Sequence, residues 1–227
     1  MPSTAGNVTG NVTDTGPEML GLAKMAPADW RYYASQVALG LEDYYCGRGE
    51  APGWWAGSGA ATVGLSGQVD PTQLAALFGQ GRHPVSGEAL GKPWDHKAAD
   101  GVVAGFSLSL SAPKSVSVLW ALGGKAVGAE VAAAHYAAVA VTVAFLEDHA
   151  AFSRSGKAGV FQVDTEGLII AGFVHRVSRA VDPNLHTHLL VSNKLRCSDG
   201  RWRAVDGREL YAMQKPAGNL YQAALRA

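Results

Sequence analysis

Three histidines in the carboxyl-terminal third of the chain have the spacing of a metal site. His186 and His188 are two residues apart, so in a strand their side chains lie on one face of the sheet. The apolar stretch that ends at His175 is expected to pair with them as an antiparallel strand, because DPN at 182–184 favours a turn. Opposed Cβ atoms lie about 5 Å apart, so a register that sets His175 opposite His186 or His188 would gather three imidazoles around one cation.

A simpler interpretation of the histidines is that one is exposed and two are packed, since a His-x-His pair alone is common. The third histidine, His175, would lie on the same face of the sheet as the other two, and this favours the metal site.

Two pairs of adjacent tyrosines are candidates for a nucleophile. They are Tyr32 with Tyr33 and Tyr44 with Tyr45, four of the seven tyrosines in the chain. A free tyrosine hydroxyl has a pKa of about 10 and is a poor nucleophile at neutral pH. A bound cation that polarises a phosphodiester reduces this obstacle, and attack on phosphorus would leave a covalent phosphotyrosine. The structural alternative is that one tyrosine of each pair packs in the core and the other caps it with its hydroxyl in water.

The composition fits one soluble domain whose charge is unevenly placed. With 227 residues, 48% of them hydrophobic, the chain can bury one sizeable core. Basic and acidic side chains number 19 each, which argues against a uniformly basic nucleic-acid binder. Residues 1–153 hold 8 basic against 13 acidic side chains, and residues 154–227 hold 11 against 6. The histidine segment therefore lies in the basic part, where a polyanion would be attracted.

The location and the boundaries follow from simple features of the sequence. The only cysteines, Cys46 and Cys197, are too few for a disulfide framework, so we expect a reducing cytoplasm. Charged residues and histidines interrupt the apolar stretches, so we expect no membrane insertion. Residues 1–18 are polar and aperiodic, and we expect a mobile leader ahead of one domain over residues 19–227. A helical pattern still present at Ala227 indicates a fragment of a longer protein.

The elements that must position these residues form an α+β pattern, a central antiparallel sheet with helices packed on one face. The expected strands are 19–25, 102–110, 160–163 in a hairpin with 168–177, the segment around His186, and the segment around Trp202. The expected helices are those capped by Asp29, Asp70, Ser111 and Asp206, a long helix over 129–152, and one that begins at Pro216. The glycine-rich segment 47–67 is expected to be a surface loop.

Four motifs occur in a fixed order along the chain. They are the two tyrosine pairs, GLSGQVD at 64–70, SAPKSVS at 111–117, and DPNLHTH at 182–188 with His175 upstream. Together they resemble the conjugative relaxases of the F-plasmid type, the TrwC family of HUH endonucleases, from about Met19 to the end of the chain. The resemblance implies an antiparallel sheet beneath a three-histidine metal site. It also implies an enzyme that nicks one DNA strand at a transfer origin and stays attached to the 5′ phosphate.

The resemblance also implies roles for individual residues. Tyr32 corresponds to the first nicking tyrosine, Tyr44 to the tyrosine of a second strand transfer, and the three histidines to the metal ligands. The interval between the tyrosine pairs is longer than in the best-known members. Tyr32, Tyr33 and Tyr44 therefore all stay open as the first nucleophile.

Ser107 is the main departure from the family pattern. The family has an aspartate at this position, which is thought to orient a metal-bound histidine and to assist deprotonation of the tyrosine. Loss of such a carboxylate costs about 10- to 100-fold in metal affinity or activity. We therefore predict weaker metal binding or a more alkaline optimum than in relatives with the aspartate. The variant Ser107→Asp tests this role, which is wrong if nicking assays and calorimetry both show no change.

The cofactor and the partners follow from the same motifs. Imidazole ligands favour zinc, copper and nickel by affinity, whereas the resemblance implies magnesium or manganese, which we expect first. The implied partner is single-stranded DNA with an adjacent hairpin or duplex at a transfer origin, together with accessory DNA-binding proteins and a secretion channel. Candidate phosphate contacts are Lys114, Arg154, Lys157, Arg176, Arg179, Lys194, Arg196, Arg201 and Arg203, and candidate stacking residues are Trp54 and Trp202.

Three other functions remain as alternatives. A rolling-circle replication initiator shares the His-x-His site, although two tyrosine pairs ahead of the histidines favour a relaxase. An origin-binding DNA module that nicks weakly is consistent with Ser107. A histidine-site hydrolase would release its product without any covalent link to the protein.

Overall fold

The computed structural model describes residues 20–36, 51–94, 101–178, 180 and 182–227. The strands in these ranges are Leu20–Met25 (β1), Trp54–Ala56 (β2), Gly105–Ser111 (β3), Phe152–Ser155 (β4), Phe161–Asp164 (β5), Ile170–Val177 (β6), Pro183–Ser192 (β7), Leu195–Arg196 (β8) and Trp202–Arg203 (β9). The helices are Trp30–Gln36 (α1), Ser58–Thr62 (α2), Pro71–Leu74 (α3), Lys114–Leu122 (α4), Gly124–Ala150 (α5) and Gly207–Ala224 (α6). Helix α3 continues as a π-helical turn, Ala75–Gly79, and a 3₁₀ turn, Lys157–Gly159, lies between β4 and β5.

The centre of the fold is a five-stranded antiparallel sheet in the order β1-β3-β7-β6-β2. Strands β4 and β5 form a separate two-stranded sheet, and so do β8 and β9. The expected α+β class with a central antiparallel sheet is confirmed.

Successive side chains of a strand point to opposite faces of the sheet, so the central sheet has a hydrophobic core on each face. Leu189 lies on one face, in a buried cluster with Leu146 of α5 and Tyr221 of α6. Leu190 lies on the other face, in a cluster with Phe78 of the π-helical turn. The long helices therefore lie on one face, and short helices cover part of the opposite face.

A buried polar contact joins the long helices to the middle of β7. His135 of α5 is fully buried, and its two ring nitrogens each lie 2.7 Å from a hydroxyl, Nδ1 from Tyr221 and Nε2 from Thr187. Both partners are themselves buried, so the ring is packed between the long helices and the sheet. Burial is the main reason that the pKa of His135 falls to about 4, with a smaller effect from the nearby His186.

We predict that this histidine makes the fold acid-sensitive. The folded state keeps His135 neutral, whereas the unfolded chain takes up a proton below pH 6.5, so stability is lost as the pH falls from 6.5 towards 4. The loss attributable to His135 reaches about 3 kcal/mol at the acid end. Urea unfolding at pH 7 and pH 5, in chelator, should show a smaller difference for His135→Gln, which keeps an amide and cannot titrate. Equal differences for the two proteins would contradict the assignment.

The expected hairpin of 160–163 with 168–177 is wrong. Strand β5 pairs with β4, and β6 pairs with β7 and β2. The reason is burial: β6 is buried along its first six residues and belongs inside the sheet, whereas β5 is mostly exposed.

Within the expected loop 47–67, the described residues contain β2 and α2. The glycines there allow close approach of chains. A Cβ at Gly53 would lie 2.5 Å from the Phe173 ring, and one at Gly59 would lie 2.5 Å from the carbonyl oxygen of Gly167. The glycines indicated a loop because they are typical of turns, but here they bring β2 and α2 against β6 and its leading segment.

Three of the expected helix starts are confirmed in position and two are corrected. The carboxylates of Asp70 and Asp206 cap α3 and α6. Helix α1 begins at Trp30, directly after Asp29, although the Asp29 carboxylate accepts from the backbone N–H of Ala26. Ser111 is the last residue of β3 and does not cap α4. Pro216 lies inside α6 and does not begin a new helix. Packing of α6 on α5 and the sheet offsets the roughly 3 kcal/mol that an internal proline costs.

Helix α5 is long and apolar enough to cross a membrane by length and composition alone. Its buried residues, among them Ala138 and Leu146, pack in the core against the sheet. The absence of membrane insertion stays a prediction.

Candidate metal centre and adjoining tyrosines

The register of β6 and β7 brings the three histidines together. His175 is paired with His186, and His188 lies one side-chain position further along the same face of β7. The ring centroids are 5.2 Å apart for His175 and His186, 4.9 Å for His175 and His188, and 5.0 Å for His186 and His188. One nitrogen of each ring lies within 4.8 Å of those of the other two. The predicted convergence of the three imidazoles on one point is therefore present.

Hydrogen bonds on the outer nitrogens orient two of the rings. Nδ1 of His186 donates to the backbone carbonyl of Asn184 at 2.8 Å. Nδ1 of His188 lies 2.8 Å from the hydroxyl of Ser109 on the neighbouring strand β3. With Nδ1 engaged in this way, Nε2 is the ring nitrogen through which each histidine would ligate a cation. Ser109 was not among the residues predicted from the sequence.

The donor set fits a divalent cation. Burial lowers the pKa of His188 to about 3, with smaller effects from His186 and His175, so this ring is neutral at pH 7 and keeps a lone pair for a metal. Three imidazole ligands would leave further coordination positions open for a substrate. The three histidines would hold the ion, which supplies Lewis-acid polarisation of a phosphate when it is bound.

The first tyrosine pair lies beside this site, on α1. The ring of Tyr33 is 5.1 Å from that of His188, and its hydroxyl lies 2.9 Å from that of Ser107. Burial raises the pKa of Tyr33, an effect that the hydrogen bond to Ser107 opposes in part. The ring of Tyr32 is 6.4 Å from that of His175 and is 52% exposed. The two tyrosines thus differ: the hydroxyl of Tyr33 is held against β3, and Tyr32 is open to solvent beside the histidines.

The remaining predicted catalytic residues divide between described and undescribed parts of the chain. Tyr44 and Tyr45 lie outside the described residues. Ser107 is buried, and its hydroxyl meets Tyr33, whereas on the same strand it is the hydroxyl of Ser109 that meets a histidine ring. A serine at 107 therefore keeps a contact to a tyrosine but brings no charge to it.

Two of the predicted phosphate contacts are engaged by the protein itself. Lys194 is buried, and its Nζ donates to the backbone carbonyl of Lys92 at 2.8 Å, an arrangement that disfavours its predicted contact with DNA. Lys114 forms an ion pair with Asp182 and donates to the carbonyl of Pro183. This pair ties the start of α4 to the start of β7, ahead of His186.

Three of the predicted arginines have acidic neighbours. The ion pairs are Arg154 with Asp206, Arg196 with Glu166, and Arg203 with Asp199. Asp206 is buried, whereas Arg196 is exposed and Glu166 is partly exposed, and an exposed pair contributes little to stability. Lys157 and Arg201 are exposed, Arg176 is half-buried, and Arg179 lies outside the described residues. Their contacts with phosphate stay predictions.

The two predicted stacking residues are engaged in packing. Trp54 lies edge-on to Tyr136 of α5, with ring centroids 5.8 Å apart. Trp202 is half-buried against the second core. Both stay predictions as DNA contacts.

An antiparallel sheet that carries three converging histidines beside a helix with a tyrosine pair defines an α+β protein of the HUH-endonuclease type. The family model described as TrwC relaxase matches residues 26–227. The chain belongs to this relaxase family, as the resemblance of its motifs indicated.

Two relatives have the name multifunctional conjugation protein TraI. The one from Escherichia coli is 31% identical over 214 residues, which are 90% of this chain and 11% of the relative. The one from Escherichia coli strain K12 is 33% identical over 181 residues, 76% of this chain and 10% of the relative. The chain thus spans about a tenth of these proteins.

Solved structures of the conjugative relaxase TrwC have the same fold. A copper-bound complex with oriT DNA matches with a TM-score of 0.75 and 34% identity, over 92% of this chain and 69% of the TrwC chain. A complex with a 27-mer DNA comprising the recognition hairpin and the cleavage site matches with a TM-score of 0.73 and 32% identity, over 92% of this chain and 67% of the other.

Proposed function

We propose that this chain nicks and rejoins one DNA strand at a transfer origin, through a covalent 5′-phosphotyrosine, and so initiates conjugative transfer of a plasmid or integrative element. The observation that carries the proposal is the cluster of three histidines, with ligand atoms within 4.8 Å of one another, beside Tyr32 and Tyr33. Family membership supports the relaxase over the rolling-circle initiator.

Tyr32 is the nucleophile in this proposal. It is exposed, its ring lies 6.4 Å from that of His175, and a phosphate has access to its hydroxyl. Tyr33 is less suited, because its hydroxyl is bonded to Ser107 and burial raises its pKa. The role of Tyr33 is to pack over His188 and to close one side of the site.

The reaction exchanges one ester for another. The Oη of Tyr32 forms a bond to phosphorus, the bond from phosphorus to the 3′ oxygen breaks, and the phenolic proton passes to solvent while the 3′ oxygen gains one. The linkage to tyrosine preserves the energy of the phosphodiester, so a 3′ hydroxyl can attack it in the reverse reaction and rejoin a strand. An imidazole ligates a metal only in its neutral form, so cation binding at the three histidines would weaken at acidic pH.

The partners and the metal belong to the same proposal. The substrate is single-stranded DNA with an adjacent hairpin or duplex, as in the DNA complexes of TrwC. The cation is manganese or magnesium in the cell, although a copper-bound relative agrees with the affinity of imidazole for copper. Accessory DNA-binding proteins, a secretion channel and a cytoplasmic location complete the proposal.

A labelled-strand assay tests the proposed function. The protein is incubated with Mn²⁺ or Mg²⁺ and single-stranded oligonucleotides that tile the DNA flanking its own gene, labelled at either end. Label at the 3′ end should move onto the protein in denaturing gels, and label at the 5′ end should leave on a shorter free strand. A gel shift without adduct would favour an origin-binding module, and cleavage without adduct would favour a hydrolase.

A further inference from the structure

Ser109 is the residue of β3 that contacts a proposed metal ligand. The antiparallel register pairs Ser109 with His188, and the serine Oγ lies 2.8 Å from Nδ1 of the ring. Ser107, two residues away on the same face, has its contact with Tyr33. The hydroxyls of Ser107 and Ser109 therefore contact different groups, the first a tyrosine and the second a proposed metal ligand.

The contact matters because a neutral imidazole has one N–H and one lone pair. With the proton on Nδ1 donated to Ser109, the lone pair of Nε2 is available to a cation. With the proton on Nε2, the same position presents a hydrogen and cannot ligate. His186 has its proton fixed by the carbonyl of Asn184, which only accepts. A serine hydroxyl both donates and accepts, so the preference at His188 depends on whether Ser109 takes the accepting role.

We infer that Ser109 is a positioning residue of the metal centre: by accepting the Nδ1 proton of His188 it would hold this ring in the orientation that ligates through Nε2. The inference rests on the proposed function in one respect, namely that the three histidines bind a divalent cation. It goes further in naming a serine hydroxyl as the outer hydrogen-bonding partner of a ligand. Ser109 acts through His188 and not on the DNA.

Calorimetric titration of the whole chain with Mn²⁺ and with Cu²⁺ tests this role. Ser109→Ala should weaken both affinities about tenfold, at the lower end of the effect of an outer hydrogen-bonding partner. Ser109→Thr keeps a hydroxyl and should restore the affinity to near the wild-type value. The electron paramagnetic resonance spectrum of bound Cu²⁺ should change in Ser109→Ala and not in Ser109→Thr, a readout that does not depend on nicking.

Ser117→Ala is the matched control for a merely structural effect. The buried hydroxyl of Ser117 accepts from the backbone N–H of Leu185, so this variant also removes a serine contact to β7 but none to a ring. Its metal affinity should equal that of the wild type once circular dichroism shows a native fold.

The outcomes separate the inference from the proposal beneath it. Equal metal affinity in Ser109→Ala and in the wild type would overturn the role of Ser109 but would not contradict the metal centre. Equal losses in Ser109→Ala and Ser117→Ala would overturn it as well, because the effect would be structural. A wild-type protein that binds neither ion would overturn the metal centre and this inference together.

Discussion

Replacing Tyr32 with phenylalanine is expected to reduce the covalent DNA adduct by on the order of 10³-fold or more, the usual scale for loss of a nucleophile. The substitution removes the one atom that attacks phosphorus and keeps the ring, which lies edge-on to Tyr33 at a centroid distance of 5.2 Å. The fold should be unaffected, because the side chain is 52% exposed. The measurement is the yield of labelled protein from a 3′-labelled strand.

Tyr33→Phe is the control for that prediction. It removes the hydroxyl that Ser107 contacts and should cost about 1 kcal/mol of stability, the net value of one hydrogen bond. Its adduct should persist at a level comparable to that of the wild type. The account is contradicted if Tyr33→Phe loses the adduct and Tyr32→Phe retains it.

Removing a metal ligand is the second change with a large expected effect. His188→Ala should lower the affinity for Mn²⁺ by about 100-fold or more, since loss of an outer partner alone costs up to that amount. His188 is the choice because its ring lies 4.9 Å from that of His175 and 5.0 Å from that of His186. Nicking should fall in parallel, because two imidazoles hold a cation far less firmly than three.

His149→Ala is the matched control for the ligand variant. His149 is exposed and stacks on Phe145 of α5, with ring centroids 4.3 Å apart. The His149→Ala variant should bind Mn²⁺ and nick DNA as the wild-type protein does. Full metal affinity in His188→Ala would show that the ion lies elsewhere.

The histidine site was predictable because strand parity is a local property. His-x-His places two rings on one face wherever the strand lies, and the turn residues at 182–184 point to the partner strand that contains His175. The contact of Ser109 with His188 was not predictable in this way. It depends on the register of β3 against β7, and the two strands are separated in sequence by α4, α5, β4, β5 and β6.

Burial explains the other differences between expectation and structure. Strand β5 is mostly exposed and pairs with β4 outside the central sheet. Strand β6 is buried along most of its length and lies inside the central sheet. Lys194 was predicted as a phosphate contact because of its charge, yet it is buried and its Nζ donates to the backbone carbonyl of Lys92. Such contacts depend on the complete tertiary structure.

Mass spectrometry of the DNA-linked peptide tests the central claim most directly. Trypsin cleavage after Arg31 and Arg48 would release all four candidate tyrosines in one peptide, residues 32–48, and cleavage before Asp43 separates the two pairs. The account predicts that the nucleotide mass lies on the amino-terminal half and that fragment ions assign it to Tyr32. A nucleotide on Tyr33, Tyr44 or Tyr45, or strand cleavage that leaves no linked peptide, would contradict it.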